Sequence, residues 1–467
     1  MTAPGSGTTE TSAPQATATV SAMAAVRLPL DPGPPVDPFA LAGSTGIVFR
    51  TAERTLVGLG RSFTLALPHG LERAPDVDGL TRALAAVDCD DRFDPATSGV
   101  VAFGALPFDR SRPGTLVVPE ILYGAEASGA EWVTVLAADR SELPTGSTGL
   151  RSWLVAHSAD PAEASPGVRR PPGRGPAIVP RTTDASFEGM VAESVLAVES
   201  GQVAKVVVSR QVDVRMDEPI DVAALLRRWR RIEPTASFFS MPTSMGRLVG
   251  ASPELLVERD GSAVRSRPLA GTTDRTHEAT SVLPRELLAS TKDSAEHRLV
   301  VDAIGDVLAP LCSDLDVPAR PDLVHLHNIT HLATSVVGTL APRPDGSRPT
   351  ALELVAALHP TPAVGGVPRD RALALISRLE PEDRGHFAGP VGYVDARGDG
   401  RWMIGIRAMT VSGPDALLAA GVGIVRGSDP QTELVEVNLK LTAAFDALAP
   451  GTAFTTSDGP PAHEAVG

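Results

Sequence analysis

The stretch Ala236-Ser-Phe-Phe-Ser-Met-Pro-Thr-Ser-Met-Gly-Arg-Leu-Val-Gly-Ala-Ser-Pro-Glu-Leu-Leu-Val-Glu-Arg259 decides the fold. It holds three short apolar runs, at 236–241, 247–250 and 254–259. Turn-forming residues separate the runs, and each reads as a strand. A second group of strands is predicted at 389–395, 402–410 and 416–420. Around these groups the apolar spacing turns helical, over 285–311, 350–358, 369–380 and 430–448. Phe187–Ser200 reads as a helix that Gly201 can end, and the β-branched run Val203–Arg210 as a strand. Strands arriving in hairpin-like groups, not in regular β-α-β units, predict an α+β fold: large antiparallel sheets with helices packed outside.

Farther out the signals thin. Residues 1–45 are rich in Ala, Thr, Pro, Ser and Gly and read as a disordered leader, with order starting near Thr45-Gly-Ile-Val-Phe-Arg50. Residues 46–183 mix short strands, such as Gly99-Val-Val-Ala-Phe-Gly104, with loops and form an N-terminal part. Ser165–Arg181 reads as an exposed connection. Residues 184–450 carry the strongest signals, and 451–467 read as a frayed tail. The 467 residues hold 42 Lys+Arg against 56 Asp+Glu, a formal charge of −14. That balance disfavours a nucleic-acid or anionic-membrane partner. No apolar run reaches the ~18 residues of a spanning helix. Arg27 is the first basic residue, so the start lacks a charged secretory region. Two cysteines, Cys89 and Cys312, rule out a disulfide framework or a CxxC zinc site. A cytoplasmic protein is expected.

Several residues are candidates for chemistry. Asp293 and Glu296 lie three apart, as do Glu433 and Glu436, which puts each pair on one helical face with Lys440 extending the second. Four carboxylates on facing helices would need a dication between them, and oxygen ligands select Mg²⁺. Two solvated faces would show the same spacing. Lys205, set in Val203-Ala-Lys-Val-Val-Val-Ser-Arg210, is either a partly desolvated amine able to act as a base or an outward-facing strand residue. Glu254 is either a carboxyl that keeps its proton beside apolar neighbours or a surface residue at a strand start. Pro268-Leu-Ala-Gly-Thr272 and Ala420-Gly-Val-Gly-Ile424 read as loops whose N–H groups suit an anion. The spacing of Gly421, Gly423 and Gly427 does not fit a dinucleotide loop. Arg407, in an apolar strand, suits a carboxylate ligand or an internal ion pair. His325, His327 and His331 lack HExxH spacing, so one site-facing histidine fits better than zinc.

In this order the motifs resemble the chorismate-utilising enzymes: isochorismate, salicylate, anthranilate and aminodeoxychorismate synthases. The matching stretches are Lys205-Val-Val-Val-Ser-Arg210, Gly250-Ala-Ser-Pro-Glu-Leu-Leu256, Pro268-Leu-Ala-Gly-Thr272, Ser290-Thr-Lys-Asp-Ser-Ala-Glu-His297, Leu358-His-Pro-Thr-Pro-Ala-Val-Gly-Gly366, Arg384-Gly-His-Phe-Ala-Gly-Pro-Val-Gly392, Ile404-Gly-Ile-Arg407, Ala420-Gly-Val-Gly-Ile-Val425 and Gly427-Ser-Asp-Pro-Gln-Thr-Glu-Leu-Val-Glu436. They fall in residues 187–445.

The resemblance implies the fold of anthranilate synthase component I, with 184–450 as the chorismate-binding catalytic region. The Leu-His-Pro-Thr-Pro-Ala-Val signature resembles isochorismate synthase. Ala270 stands where the aminodeoxychorismate enzyme carries a nucleophilic lysine, leaving room for water. Glu296 and Glu436 match direct Mg²⁺ ligands, and Asp293 and Glu433 match acids that hold metal-bound water. Gly271, Thr272, His331, Arg407, Gly421 and Lys440 match the substrate contacts. Lys205 then acts as base for water attacking C2, and Glu254 as acid for the departing C4 hydroxyl, on opposite sides of the ring. Phe387 replaces a tyrosine common in relatives. The alternative is a salicylate synthase that goes on to eliminate pyruvate; a non-catalytic chorismate-binding module is disfavoured by the retained acids and Lys205. A monomer without a glutaminase subunit is expected, and a siderophore, menaquinone or salicylate pathway would consume the product.

Overall fold

A computed structural model describes residues 23–93, 99–158, 175–274, 287–327 and 329–455. Its building rule is visible in the Gly246–Ser252 strand. Leu248 and Val249 leave opposite faces, yet both are buried, at 2% and 0% exposure. Leu248 joins a core with Phe49, Phe103, Phe239, Val391 and Met403, whereas Val249 joins a second core with helix residues such as Leu226 and Phe445. Strands covered on both faces need apolar residues at successive positions, which is why these runs do not alternate.

The first core lies between two large sheets. The larger has 13 strands, in the order 177–180, 205–215, 415–424, 408–412, 246–252, 237–243, 47–50, 54–59, 121–126, 131–137, 24–29 and 88–91, with 366–367 pairing beside 205–215. Its pairs are antiparallel except the last, Ala24–Pro29 with Asp88–Asp91. The second has nine strands, in the order 312–316, 336–340, 263–267, 255–260, 400–404, 390–395, 101–105, 114–118 and 63–67. A small sheet joins 269–274, 329–333 and 322–325. Helices Asp184–Glu199, Val222–Ile232 and Pro430–Leu448 cover the outer face of the larger sheet, and Ala74–Ala85 and Ala351–Leu358 cover the nine-stranded one. Thr291–Leu308 packs on the small sheet. The α+β plan with outside helices is therefore the observed one.

Several boundaries differ from expectation. The segment 24–42, read as leader, contains the Ala24–Pro29 strand and the Pro38–Ala42 helix. The strand is held by Arg27, whose guanidinium sits 4.6 Å from the Phe93 ring centroid and 4.5 Å from that of Trp132, so one charged residue hid a buried strand. The predicted strand 402–410 is two strands, Gly400–Ile404 and Ala408–Ser412, in different sheets. The predicted glycine loop 420–424 lies within the Asp415–Ile424 strand, paired to Lys205–Arg215. Similarly, 269–272 belongs to the Leu269–Asp274 strand, with a register shift between Ala270 and Thr272. The Val222–Ile232 helix was not anticipated. Ala177–Pro180, inside the expected connection, is an edge strand. The readings at 1–22, 165–174, 285–286 and 456–467 lie outside the described residues.

Phe239 is fully buried between the sheets. Phe239→Ala is expected to cost about 3–5 kcal/mol of stability, measured by denaturant unfolding; a loss under ~1 kcal/mol would mean that core repacks freely.

Candidate active site

A cavity opens where the chain passes between sheets. Glu254 follows the last residues of Gly246–Ser252, in the larger sheet, and precedes Leu255–Asp260, in the nine-stranded one. Arg407 sits at the neighbouring passage, between Gly400–Ile404 and Ala408–Ser412. The two passages are hydrogen-bonded: Ala251 N donates to Arg407 O at 3.0 Å and Ile404 N to Glu254 O at 3.1 Å. Arg407 adopts φ +49°, the left-handed region uncommon for a side-chain-bearing residue. Both side chains line the cavity.

Two helices bring the acids. Ser290 caps Thr291–Leu308 by accepting from Asp293 N, and Asp429 caps Pro430–Leu448 by accepting from Thr432 N. The first helix presents Glu296 to the cavity and the second presents Glu436 and Lys440. Glu433 is buried at 2% exposure, bonded to Lys292 Nζ at 2.9 Å. Lys440 Nζ lies 2.6 Å from Glu436 Oε1 and donates to Gly421 O at 3.0 Å. Lys205 Nζ lies 2.9 Å from Glu296 Oε1, with Lys205 1% exposed. Gly423 lets that pair meet beside its strand, since a Cβ there would stand 2.3 Å from Glu296 Oε1 and 2.8 Å from Lys205 Cε. Gly271, at φ +75°, serves the same end: a Cβ would lie 3.0 Å from Asp293 Cβ.

The acids differ in state. Burial pushes the Glu254 carboxyl up to about 8, against the pull of Lys205, the Leu269 N–H, Lys440 and Arg407. Burial also raises the Glu433 carboxyl, with Glu436 adding to the rise and Lys292 opposing it. At Glu436 burial would raise the carboxyl, but Lys440, Lys292 and the Thr272 hydroxyl together draw it below its usual value. Burial lowers Arg407 to about 10, opposed by Glu233, Glu436 and Glu254.

His331 links these groups. Its Nδ1 lies 3.1 Å from both Gly271 O and Thr272 Oγ1, and its Nε2 lies 3.3 Å from the Arg407 guanidinium. A carbonyl only accepts and a guanidinium only donates. Nδ1 therefore carries the proton and Nε2 accepts from Arg407. Burial and the Arg407 charge keep the ring neutral, well below its ordinary pKa. The ring thereby orients Arg407 toward the cavity.

The structure thus gathers Glu254, Gly271, Thr272, Glu296, His331, Arg407, Gly421, Glu436 and Lys440 around one cavity. Lys205 lies behind the wall, reaching it through Glu296, while Asp293 and Glu433 stand outside the lining. His325 Nδ1 lies 3.0 Å from Thr330 Oγ1 and the His327 backbone N–H donates to Glu233, and neither histidine lines the cavity. Among the described residues no three acid, histidine or cysteine side chains stand close enough together to hold a metal ion. Two basic residues were missed. Lys292 touches Glu433. Arg384 lines the cavity and donates to Val207 O and Val364 O, each at 2.8 Å, and to Glu380 Oε2, also at 2.8 Å. Its place in Arg384-Gly-His-Phe387 was the available signal. Val207, Leu269, Ala270, Val364, Phe387 and Ile406 complete an apolar lining. A flat apolar ring bearing carboxylates would meet apolar walls with Arg407 and Lys440 among them.

A family model described as chorismate binding enzyme matches residues 45–449. The chain is 35% identical to the isochorismate synthase EntC of Escherichia coli K12 over 83% of its length and 92% of that protein. It is 33% identical to the isochorismate synthase DhbC of Bacillus subtilis 168, over 83% of its length and 93% of that protein. The solved structure of MenF, the menaquinone-specific isochorismate synthase from Escherichia coli, shares the fold with a TM-score of 0.73, covering 91% of this chain and 94% of that one at 24% identity. With the family model spanning most of its sequence and such relatives matched nearly end to end, the chain belongs to the chorismate-binding enzymes.

Proposed function

We propose that the chain is an Mg²⁺-dependent isochorismate synthase that converts chorismate to isochorismate. The observation that carries this is Glu254: a buried carboxyl, protonated up to about pH 8, facing the same cavity as two cations suited to a dianionic ring. Its relatives EntC and DhbC are named for the same activity.

No three acids among the described residues form a cage, but the two that face the cavity, Glu296 and Glu436, suit Mg²⁺, which takes one or two carboxylates and fills its other positions with water and substrate oxygens. Their donors are carboxylate oxygens only, and a cation already stands among them in the Lys292 ammonium, whose charge is drawn on by Glu433, Glu436 and Glu296. Glu296 and Glu436 are the proposed ligands, with Asp293 and Glu433 standing behind them. A bound ion would offset the charge of these acids and would supply a positive site for one substrate carboxylate. Arg407, oriented by His331, and Lys440 face the other. Lys205, held 2.9 Å from Glu296 at the edge of the cavity, is the proposed base that takes a proton from water as the oxygen bonds to C2. The two ring double bonds each move one position, and Glu254 gives its proton to the hydroxyl leaving C4. One water enters and one leaves. Ala270 lines the cavity, so no lysine side chain stands there to form a covalent amine, and water is the proposed nucleophile. Cys89 and Cys312 are both free thiols, consistent with work in the reducing cytoplasm.

Lys205→Ala and Glu254→Gln are each expected to fold and to lose about 10²–10⁴-fold in turnover, read by chromatography of product from chorismate. Wild-type turnover in either refutes that role. Because Glu254 acts only while protonated, kcat/KM should fall as pH rises through about 8; a flat profile to pH 9.5 would remove it as the acid. Chelation should abolish turnover and added Mg²⁺ should restore it. Activity that survives thorough chelation removes the ion from the reading.

A further inference from the structure

Among its 42 basic side chains the chain has three lysines, Lys205, Lys292 and Lys440. Every other one is arginine. All three lysines end on acids of one cluster: Lys205 on Glu296 at 2.9 Å, Lys440 on Glu436 at 2.6 Å and Lys292 on Glu433 at 2.9 Å. Elsewhere the chain uses arginine even for buried pairs, such as Arg384 with Glu380. Lysine at 292 therefore marks a place where a guanidinium does not serve.

Lys292 also differs from the other two. Its side chain is 39% exposed, against 1% for Lys205 and 12% for Lys440. Its partner Glu433 is 2% exposed and cannot turn to water for its own solvation. Its charge faces Glu436 and Glu296 as well. Of the three cations, Lys292 has both a seat among the acids and a short way back to solvent.

We propose that Lys292 is the resident counter-ion of the acid cluster, neutralising it when no divalent cation is bound and withdrawing to solvent when one enters. It therefore competes with the ion and does not help to hold it. A compact ammonium on a flexible stem can leave, whereas a guanidinium fork would stay engaged in two hydrogen bonds. This inference rests on the metal reading above and adds to it a residue that sets the affinity.

The test is calorimetric titration of Mg²⁺ into the full-length protein without chorismate, with Mn²⁺ spin resonance as a second measure. Lys292→Met should bind about tenfold tighter, the scale of removing one ion pair from the competition. Lys292→Arg should bind more weakly than the wild type. Without metal, Lys292→Met should melt below the wild type, and saturating Mg²⁺ should raise its Tm by more. If the methionine variant does not fold, Lys292→Gln should give the same tighter binding. Unchanged or weaker binding in the folded neutral variant overturns the inference, leaving Lys292 as a prop for Glu433. A wild type that binds neither ion, with or without chorismate, overturns the metal reading itself.

Discussion

Carboxylates brought together out of water repel one another and lose hydration, and the site is built around that cost. Glu296, Glu433 and Glu436 come from two helices and are each met by one lysine. Those ammonium groups offset the repulsion where the helices Thr291–Leu308 and Pro430–Leu448 bring their acids together. Local sequence follows from this. Gly423 lacks a side chain where Lys205 and Glu296 meet, and Gly271 lacks one where Asp293 approaches. Two caps, Ser290 and Asp429, start the helices where they deliver the acids to the cluster.

The same environment separates two glutamates that are chemically alike. Glu254 has no ion-pair partner among the described residues. Burial outweighs the more distant pull of Lys205, and the carboxyl keeps its proton to about pH 8. Glu436 has Lys440 in contact and the Thr272 hydroxyl bonded to it, and these outweigh burial. One cavity therefore holds a proton donor and an anionic cradle. The Thr272–His331–Arg407 chain spans the site from Glu436 to the guanidinium, so the anion-binding end and the cation-binding end share one hydrogen-bonded frame.

Much of this was legible in sequence. Spacing of three put Glu433 and Glu436 on one helix, and the apolar runs located some strands of each large sheet, such as Ser237–Thr243 and Pro390–Asp395. The spacing could not say that Glu433 turns inward to Lys292 while Glu436 lines the cavity. Periodicity joined 402–410 into one strand, because apolar residues continue through Ile404-Gly-Ile-Arg407 while the backbone changes sheet. It also took Gly421 and Gly423 for a loop, although their lack of side chains serves a close approach inside a strand. Lys292 stands beside Asp293 in the sequence and carries no spacing signal of its own. The signal that distinguishes it is the scarcity of lysine across the chain.

The place of the cavity follows from the sheet crossings. A strand that stays in one ladder gives its side chains alternately to two packed cores, and neither face is free for a ligand. Where the chain leaves one sheet for another, that alternation breaks. Glu254 and Arg407 stand at two such crossings, which are tied together by Ala251 N to Arg407 O and Ile404 N to Glu254 O. The chain leaves the nine-stranded sheet again between Ala263–Arg267 and Leu269–Asp274, and so brings Gly271 and Thr272 to the same point. It returns between Ile329–Ala333 and Val336–Leu340, just after His331. The four crossings meet where the two large sheets and the small one adjoin. The helices then need only supply acids and lysines to a gap that the sheets already leave. Site residues as far apart in sequence as Glu254 and Lys440 share one cavity because the sheets exchange strands there.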